Sequence, residues 1–371
     1  MKLNFKYAIM AVAALTMGLT SCSNDDDTTE VAGNKAKLNI SIASPETKAV
    51  ATSPSDVVPV DEVKNFMAFV VDGANLHKAY SSDGTALADS NAITTSTSAS
   101  AVYVIANAGD LTSQINTLAQ LTGYVADLDA TNAGSQMGTY GRWATGQAAF
   151  TSTDFVQSGS DFVATKTVTL TFIAARITVK VVNQMDNYGA TGSVVLNSVA
   201  VMNARGESLL FPASEGTSLI PSTFHTGKSY YEGLADDSFT YYPLDFSMET
   251  SLLSNTLSDV TNDTYYYYVF ENNATTPSAY PTIVTLVGTK SDGKPIYWPV
   301  HLASYESWAS GSMTAGVLRG NSYDITINLT GDAVTGGGGT EDPTYPIVNG
   351  SVNVSVELTP WTAVPLDKEF K

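Results

Sequence analysis

Alternation of apolar and polar side chains constrains the fold of this chain more than any other feature. In the stretch Leu38-Asn39-Ile40-Ser41-Ile42, every second residue is apolar. Because successive side chains of a β-strand point to opposite faces, this pattern predicts a strand with one face on a core. Strands separated by turns are also predicted at residues 66–71, 101–106, 167–182, 193–202, 264–271, 282–288, 322–329 and 352–358. We therefore predict a mainly β protein built from antiparallel β-sandwiches with few short helices.

Helical spacing is rare in this sequence. The best candidate is residues 111–128, where apolar residues recur from Leu111 to Leu121 at intervals of three and four. Gly123 is expected to end this helix, because glycine favours helix termini.

Length and turn content predict two domains in tandem. The chain has 371 residues, of which 43% are hydrophobic and only 15% charged, which is enough apolar material for two cores. A turn-rich stretch, 184–192, separates the strands into two groups. We place an N-terminal domain at residues 37–186 and a C-terminal domain at residues 187–371.

The first residues have the build of a secretory signal. Lys2 and Lys6 precede an apolar run, and small residues follow that run up to Cys22, the only cysteine of the chain. The run is too short for a membrane-spanning helix. The ending Leu19-Thr20-Ser21-Cys22 resembles the bacterial lipobox, in which the cysteine carries the lipid. This predicts a signal peptide at 1–21 and lipid attachment at Cys22. An ordinary signal peptide with an incidental cysteine is the alternative.

Residues 22–36 are polar and read as a tether. The acidic run from Asp25 to Asp27 is similar to the signal that sends lipoproteins to the outer face of the outer membrane, although a plain solvated tether is the alternative. The formal net charge of −18 argues against nucleic acid or an anionic membrane surface as a partner. Membrane contact is therefore expected only through the lipid.

No residue pattern indicates catalysis or a metal centre. The chain has only three histidines, none in metal-ligand spacing: His77, His225 and His301. Gly227-Lys228-Ser229 is similar to the end of a phosphate-binding loop, but Ser222 stands where the first glycine is required. We predict no enzyme activity, no cofactor and no metal.

Two weaker binding signals stay open. Asp127 and Asp129 resemble the start of a calcium loop, but Asn132 and Gly138 stand where glycine and the closing glutamate are needed. The four tyrosines at 265–268 could form a sugar-stacking platform, although alternation in a strand would turn two of them to a core. Tyr266 and Trp298 are the residues on which a surface glycan-binding lipoprotein of a polysaccharide-uptake system would depend, and this is the alternative function.

Several short stretches together resemble the fimbrillin family of Bacteroidales, the subunits of surface pili. The segments that carry the resemblance are Thr47-Lys48-Ala49, Ala175-Arg176-Ile177, Tyr268-Val269-Phe270-Glu271-Asn272, Arg319-Gly320-Asn321-Ser322-Tyr323-Asp324-Ile325 and the finish at 352–361, which ends in Trp361. Their order covers nearly the whole chain after the leader.

The resemblance implies two transthyretin-like sandwiches and a lipidated (palmitate-bearing) precursor on the outer membrane surface, which then enters a fimbrium. A trypsin-like surface protease would cut between Lys48 and Ala49 and release the first strand, 37–48. The face that leaves would be formed by Leu38, Ile40 and Ile42. A donor strand within 350–371 of a neighbouring copy would replace it, through Val352, Val354, Val356, Leu358 and Trp361.

The implied partners are other copies of the chain or related pilins, the protease, and a host or bacterial surface receptor for adhesion. The sequence departs from the family at the cleavage site, where Lys48 replaces the usual arginine. Either the protease accepts lysine, or the chain keeps its first strand and serves as an anchor or tip subunit.

Overall fold

The computed structural model describes fifteen stretches of the chain. They are residues 33–43, 62–128, 142–185, 188, 194–213, 223–227, 246–247, 251–257, 264–272, 281–302, 316–331, 339–341, 343, 352–360 and 364–365. Within these ranges the protein is mainly β-structure, as predicted, and no helix there is long and apolar enough to span a membrane.

Two sheets form the N-terminal sandwich. The first has the strand order β5-β1-β10-β9 and the second the order β11-β8-β6-β3-β4. The strands are β1 (Lys35–Ala43), β3 (Phe66–Asp72), β4 (Asn75–Ser81), β5 (Ile93–Ser96), β6 (Ala99–Ala106), β8 (Ala144–Ala149), β9 (Val156–Ser158), β10 (Asp161–Thr169) and β11 (Thr171–Phe172). Every residue of β3 is buried, and β3 lies between β6 and β4 in its sheet.

Two further sheets form the C-terminal sandwich, in the orders β19-β12-β22-β23 and β18-β13-β20-β21. Their strands are β12 (Ala174–Met185), β13 (Val195–Met202), β18 (Ser254–Thr256), β19 (Thr264–Phe270), β20 (Ile283–Thr289), β21 (Pro295–His301), β22 (Asn321–Gly331) and β23 (Val352–Pro360). One apolar cluster runs through both sandwiches, and a small second cluster covers the other face of β13, β20 and β21.

Three small sheets complete the described fold, in the orders β14-β16-β17, β15-β7 and β2-β24. Their strands are β2 (Glu62–Val63), β7 (Val125–Asp127), β14 (Ala204–Arg205), β15 (Glu207–Leu209), β16 (Phe224–His225), β17 (Phe246–Ser247) and β24 (Val364–Pro365). The β7–β15 ladder joins the N-terminal strands to the C-terminal ones.

The sandwiches are not purely antiparallel. β1 runs parallel to β10, and β12 runs parallel to β22, each along most of its length. In both cases the intervening chain builds strands of the facing sheet, which supplies the long crossover that a parallel pair requires. Alternation along a strand reports its buried face but not its neighbours, so the sequence did not predict these pairings.

The predicted strand at 167–182 divides where the chain changes sandwich. β10 ends at Thr169, β11 pairs with β8, and β12 begins at Ala174. β12 pairs with β19 and β22, so by sheet membership it belongs with the C-terminal strands. The predicted domain boundary at residue 187 separates β12 from these partners.

The predicted helix at 111–128 is wrong over most of its length. The helix α1 spans only Leu118–Thr122, with Thr117 and Gln120 forming a capping box, and Gly123 ends it as expected. Upstream, the Lys78 ammonium donates to the carbonyls of Thr112 and Ile115, which a continuous helix would need. Downstream, residues 125–127 form β7 instead.

Candidate functional site

β1 lies inside its sheet, with a backbone ladder on each side. It pairs in parallel with β10 from Ala36 to Ala43. On its other side it pairs with β5 from Lys35 to Leu38, and Ile40 then exchanges two hydrogen bonds of 2.9 Å with Leu87. The N-terminal end is held by the Thr97 amide, which donates to the Asn34 carbonyl at 2.8 Å. Few of the hydrogen-bonding groups of β1 therefore face water.

The side chains of β1 alternate as the sequence predicts. Ala36, Leu38 and Ile40 are at most 1% exposed and belong to the apolar core, whereas Lys37 is exposed. Ile42 packs against the same core but is only half-buried. Burying a leucine or isoleucine stabilises a fold by about 1.5–3 kcal/mol, so Leu38 and Ile40 together contribute about 3–6 kcal/mol.

The segment that follows β1 contains the predicted cleavage site. Lys48 and Ala49 lie outside the described residues, as does Cys22 near the start of the chain. The described chain stops at Ala43 and resumes at β2. β2 pairs with β24, so the far C-terminal segment lies beside the strand that follows the predicted cut.

β23, which contains the predicted donor residues, lies at the edge of its sheet among the strands that the structure describes. It pairs antiparallel with β22, from Asn321 opposite Pro360 to Leu329 opposite Val352. Val352, Val354, Val356 and Leu358 stand at alternate positions of this strand. The register sets these four opposite residues of β22 that are at most 4% exposed: Leu329, Ile327, Ile325 and Tyr323. Trp361 lies outside the described residues.

A buried carboxylate holds the end of β5, the strand that borders β1. Asp72 is the last residue of β3 and is 8% exposed. Its oxygens accept from the Thr95 hydroxyl at 2.9 Å, the Ser96 amide at 3.0 Å and hydroxyl at 2.9 Å, and the Ser98 hydroxyl at 2.8 Å. Burial alone would raise the pKa of the Asp72 carboxyl, but the hydrogen bonds outweigh it and lower that pKa.

Sequence reasoning missed this cluster. Asp72 ends an apolar strand, and its hydroxyl partners lie 23 to 26 residues further on, in a Ser- and Thr-rich stretch without a recognisable motif. The only usable signal was a charged residue directly after the predicted buried strand at 66–71.

Two motifs named in the sequence meet in a buried ion pair. Arg319 Nε lies 3.2 Å from Glu271 Oε2, and the side chain of Glu271 is fully buried. The same guanidinium donates to the carbonyls of Leu209 and Leu210 at 2.8 and 3.1 Å and to the Ser208 hydroxyl at 3.0 Å. β15, which contains Ser208 and Leu209, pairs with β7, so the ion pair supports the junction between N-terminal and C-terminal strands.

The tyrosine run does not form a sugar-stacking platform. Tyr266 is 38% exposed, but Tyr267 is fully buried and donates its hydroxyl to the Val199 carbonyl at 3.1 Å. The Arg142 guanidinium lies 3.2 Å from the ring centroid of Tyr268, and Trp298 is fully buried. Of the two residues on which glycan binding would depend, Tyr266 is therefore exposed and Trp298 is not.

The other candidate polar residues are scattered. His77 Nε2 lies 3.6 Å from Asp72 Oδ2, His225 is buried, and His301 is half-buried on β21. Lys228, Ser229 and Asp129 lie outside the described residues. Within the described ranges, no group of three or more histidine, cysteine, aspartate or glutamate side chains could hold a metal ion.

Comparisons with known proteins identify fimbrial subunits as relatives. The model of the FimA-like major fimbrial subunit protein, C-terminal domain, matches residues 174–361, a range that begins with β12 and ends just after β23. The chain is 25% identical to the major fimbrium subunit FimA type-4 of Porphyromonas gingivalis W83, over 97% of both chains.

Solved structures share the fold. A protein of Bacteroides eggerthii DSM 20697 assigned to cell adhesion has 25% identity and a TM-score of 0.69, and the match covers 91% of this chain and 100% of that one. A fimbrilin (FimA) of Porphyromonas gingivalis W83 has 18% identity and a TM-score of 0.61, covering 89% of this chain and 99% of that one.

Proposed function

The chain belongs to the FimA-like major fimbrial subunit family, and on this premise we propose that copies of it polymerise into a cell-surface fimbrium by exchanging one β-strand. The family is one of structural subunits rather than enzymes. The precursor is lipidated at Cys22, exported to the outer membrane surface and cut after Lys48. β1 then leaves, and β23 of the next copy takes its place between β5 and β10.

The observation that supports this proposal most is the position of β1. It buries Ala36, Leu38 and Ile40 and lies between two strands, yet it comes first among the described strands, before the predicted cut. Its loss would leave a space between β5 and β10, which we call the acceptor groove. Unpaired backbone groups of β10 would border this groove, and such a border binds another strand readily.

β23 is suited to fill the acceptor groove. β1 and β23 are each 9 residues long, and both alternate apolar residues with period two. Strand addition gains affinity from backbone hydrogen bonds and specificity from alternate side chains, so a strand of equal length and period can replace β1. The groove and the donor lie on different parts of the chain, which makes the contact head-to-tail and allows a filament to grow without closing.

Because the predicted cleavage site has lysine in place of arginine, a second role within the same family is also open. If the surface protease requires arginine, β1 stays in place and the chain cannot accept a donor strand. It would then be an anchor or tip subunit, held by the lipid on Cys22. Polymerisation, and binding of the polymer to a receptor in adhesion, are expected only of a chain that is cut and loses β1.

The first test is the N-terminal residue of the protein isolated from the cell surface, together with Lys48→Ala. Polymerisation after cleavage predicts Ala49 at the N terminus, and it predicts that Lys48→Ala leaves only uncut, lipidated monomers. Lys294→Ala, which removes another exposed lysine, is the matched control and should leave filaments intact. Lipidated Cys22 at the N terminus of the wild type would favour the anchor or tip role.

The second test concerns the donor. Val356→Asp places a charge on the apolar face of β23, and Ser355→Asp places it on the opposite face. We expect Val356→Asp to give cleaved monomers and Ser355→Asp to give normal filaments by electron microscopy, while circular dichroism confirms that both variants fold. Equal filament formation by the two variants would contradict donation by β23.

A further inference from the structure

β5 depends on β1 for its place in the sheet. In the order β5-β1-β10-β9 it is an edge strand, and β1 is the one described strand with which it forms a ladder. When β1 leaves, β5 loses that ladder while Ile93 and Thr95 still lie on the core. A short strand without a ladder partner either unfolds, which removes one border of the acceptor groove, or moves inward to pair with β10, which closes the groove.

The hydrogen bonds that Asp72 accepts from Thr95, Ser96 and Ser98 form a polar attachment that β5 keeps when β1 leaves. Asp72 belongs to β3 in the facing sheet, so its hydrogen bonds to Thr95, Ser96 and Ser98 do not involve β1. Hydrogen bonds to a charged group stabilise more than those between neutral groups. They also fix the turn that joins β5 to β6, because Ser96 and Ser98 lie at its two ends.

We propose that Asp72 is a positioning residue for strand exchange, which keeps β5 at the border of the acceptor groove while the groove is empty. This inference rests on the proposed function. Asp72 does not touch the incoming strand; it acts through the hydroxyl and amide groups of residues 95–98. In the uncut chain β1 shares this task, so the demand on Asp72 is greatest between the departure of β1 and the arrival of the donor.

The test uses the full chain after limited treatment with trypsin. Lys48 is the only lysine or arginine between Lys37 and Lys64, so a cut between these residues falls there. A fluorescent peptide with the sequence of residues 33–43 is then added to the nicked protein. Its capture is measured as it replaces the original β1, which the cut has separated from the rest of the chain. We expect Asp72→Asn to weaken capture of this peptide at least tenfold, and Asp72→Glu to recover part of the loss.

Asp110→Asn is the matched control. Asp110 also accepts from an amide and a hydroxyl, those of Thr112 at 2.9 and 2.6 Å, but this pair lies in the loop after β6. Its replacement should leave peptide capture within twofold of the wild type. Capture by Asp72→Asn within the same twofold range would overturn the inference.

A second measurement needs no cleavage and separates positioning from general stability. Hydrogen exchange of the intact chain should show faster exchange in Asp72→Asn at the amides of β5, Ile93–Ser96, with β10 unchanged on the other side of β1. Equal acceleration in β5 and β10, or none, would overturn the inference. If the wild-type nicked chain fails to capture its own β1 peptide, the proposed function fails, and this exchange measurement still decides the role of Asp72.

Discussion

Leu38→Ala should destabilise the precursor and leave the filament untouched. Leu38 is fully buried in the core on β1. The substitution removes about three carbon groups at about 0.8 kcal/mol each, and the cavity adds to this, so we expect a loss of about 3 kcal/mol within the range of about 2–5 for such changes. Ile42→Ala should cost less, because Ile42 is only half-buried.

Urea unfolding of the uncut precursor measures this loss. For the N-terminal sandwich a dependence of about 2 kcal/mol per molar urea is reasonable, so 3 kcal/mol lowers the midpoint by about 1.5 M. Lys37→Ala, an exposed neighbour on the same strand, should change the free energy of unfolding by less than about 0.5 kcal/mol. Tryptophan and tyrosine signals should be followed separately, since two sandwiches need not unfold in one step.

Filaments should not show the loss of stability that Leu38→Ala causes in the precursor. If β1 is discarded, filaments from Leu38→Ala precursors have the same chemical composition as wild-type filaments, and therefore the same subunit mass and the same resistance to urea. Leu286→Ala is the control, because Leu286 lies in the core of the C-terminal sandwich and is kept in both forms. Filaments that carry the Leu38→Ala mass difference would refute removal of β1.

Three further predictions concern stability. Because the folded-state pKa of Asp72 is lowered, its contribution is complete above the unfolded pKa of about 3.9 and is lost as pH falls through the folded value, so the stability gap between wild type and Asp72→Asn should shrink below about pH 4 in acid titrations of unfolding. Glu271→Gln removes the buried carboxylate that faces the Arg319 guanidinium and should lower the free energy of unfolding by about 3–5 kcal/mol. Gly320→Ala should lower the melting temperature more than Gly293→Ala, because both have positive φ but only at Gly320 would the added carbon collide with a β11 side chain.

The controls for these predictions follow from the same contacts. A stability gap for Asp72 that stays constant down to pH 2 would mean that its hydrogen bonds do not depend on the charge. A loss below about 1 kcal/mol for Glu271→Gln would mean that this ion pair stabilises the fold no more than a solvent-exposed ion pair does. Equal losses at the two glycines would mean that backbone conformation alone, rather than close packing, decides the cost.

Local patterns in the sequence predicted the strands well because burial on one face leaves a period of two in the residues themselves. The segment from Leu38 to Ile42 shows this directly, since Leu38 and Ile40 are buried and Asn39 and Ser41 are not. The same reasoning failed for the helix at 111–128, where a lysine from β4 binds carbonyls that the helix would have used. The residues near position 111 do not indicate that the Lys78 side chain will bind there.

Pairings between residues far apart in the chain could not be predicted either, because local patterns contain no information about distant partners. The motif residues Glu271 and Arg319 were recognised separately, but their ion pair joins positions 48 residues apart. Parallel pairing of β1 with β10 likewise depends on the path of the strands between them. A single sequence reports which side of a strand is buried, and it reports a partner only when that partner is close in the chain.

The ladders explain why the proposed exchange would run in one direction. In the chain as it stands, β1 has ladders on two sides, while β23 has one described ladder partner, β22. A donor that leaves β22 for an empty acceptor groove would lose one ladder and gain two, and its apolar face would contact the core that Leu38 and Ile40 contact now. While β1 is attached it occupies the same groove at a far higher effective concentration than any neighbouring copy. Cutting the chain removes that advantage, so cleavage would control when polymerisation begins.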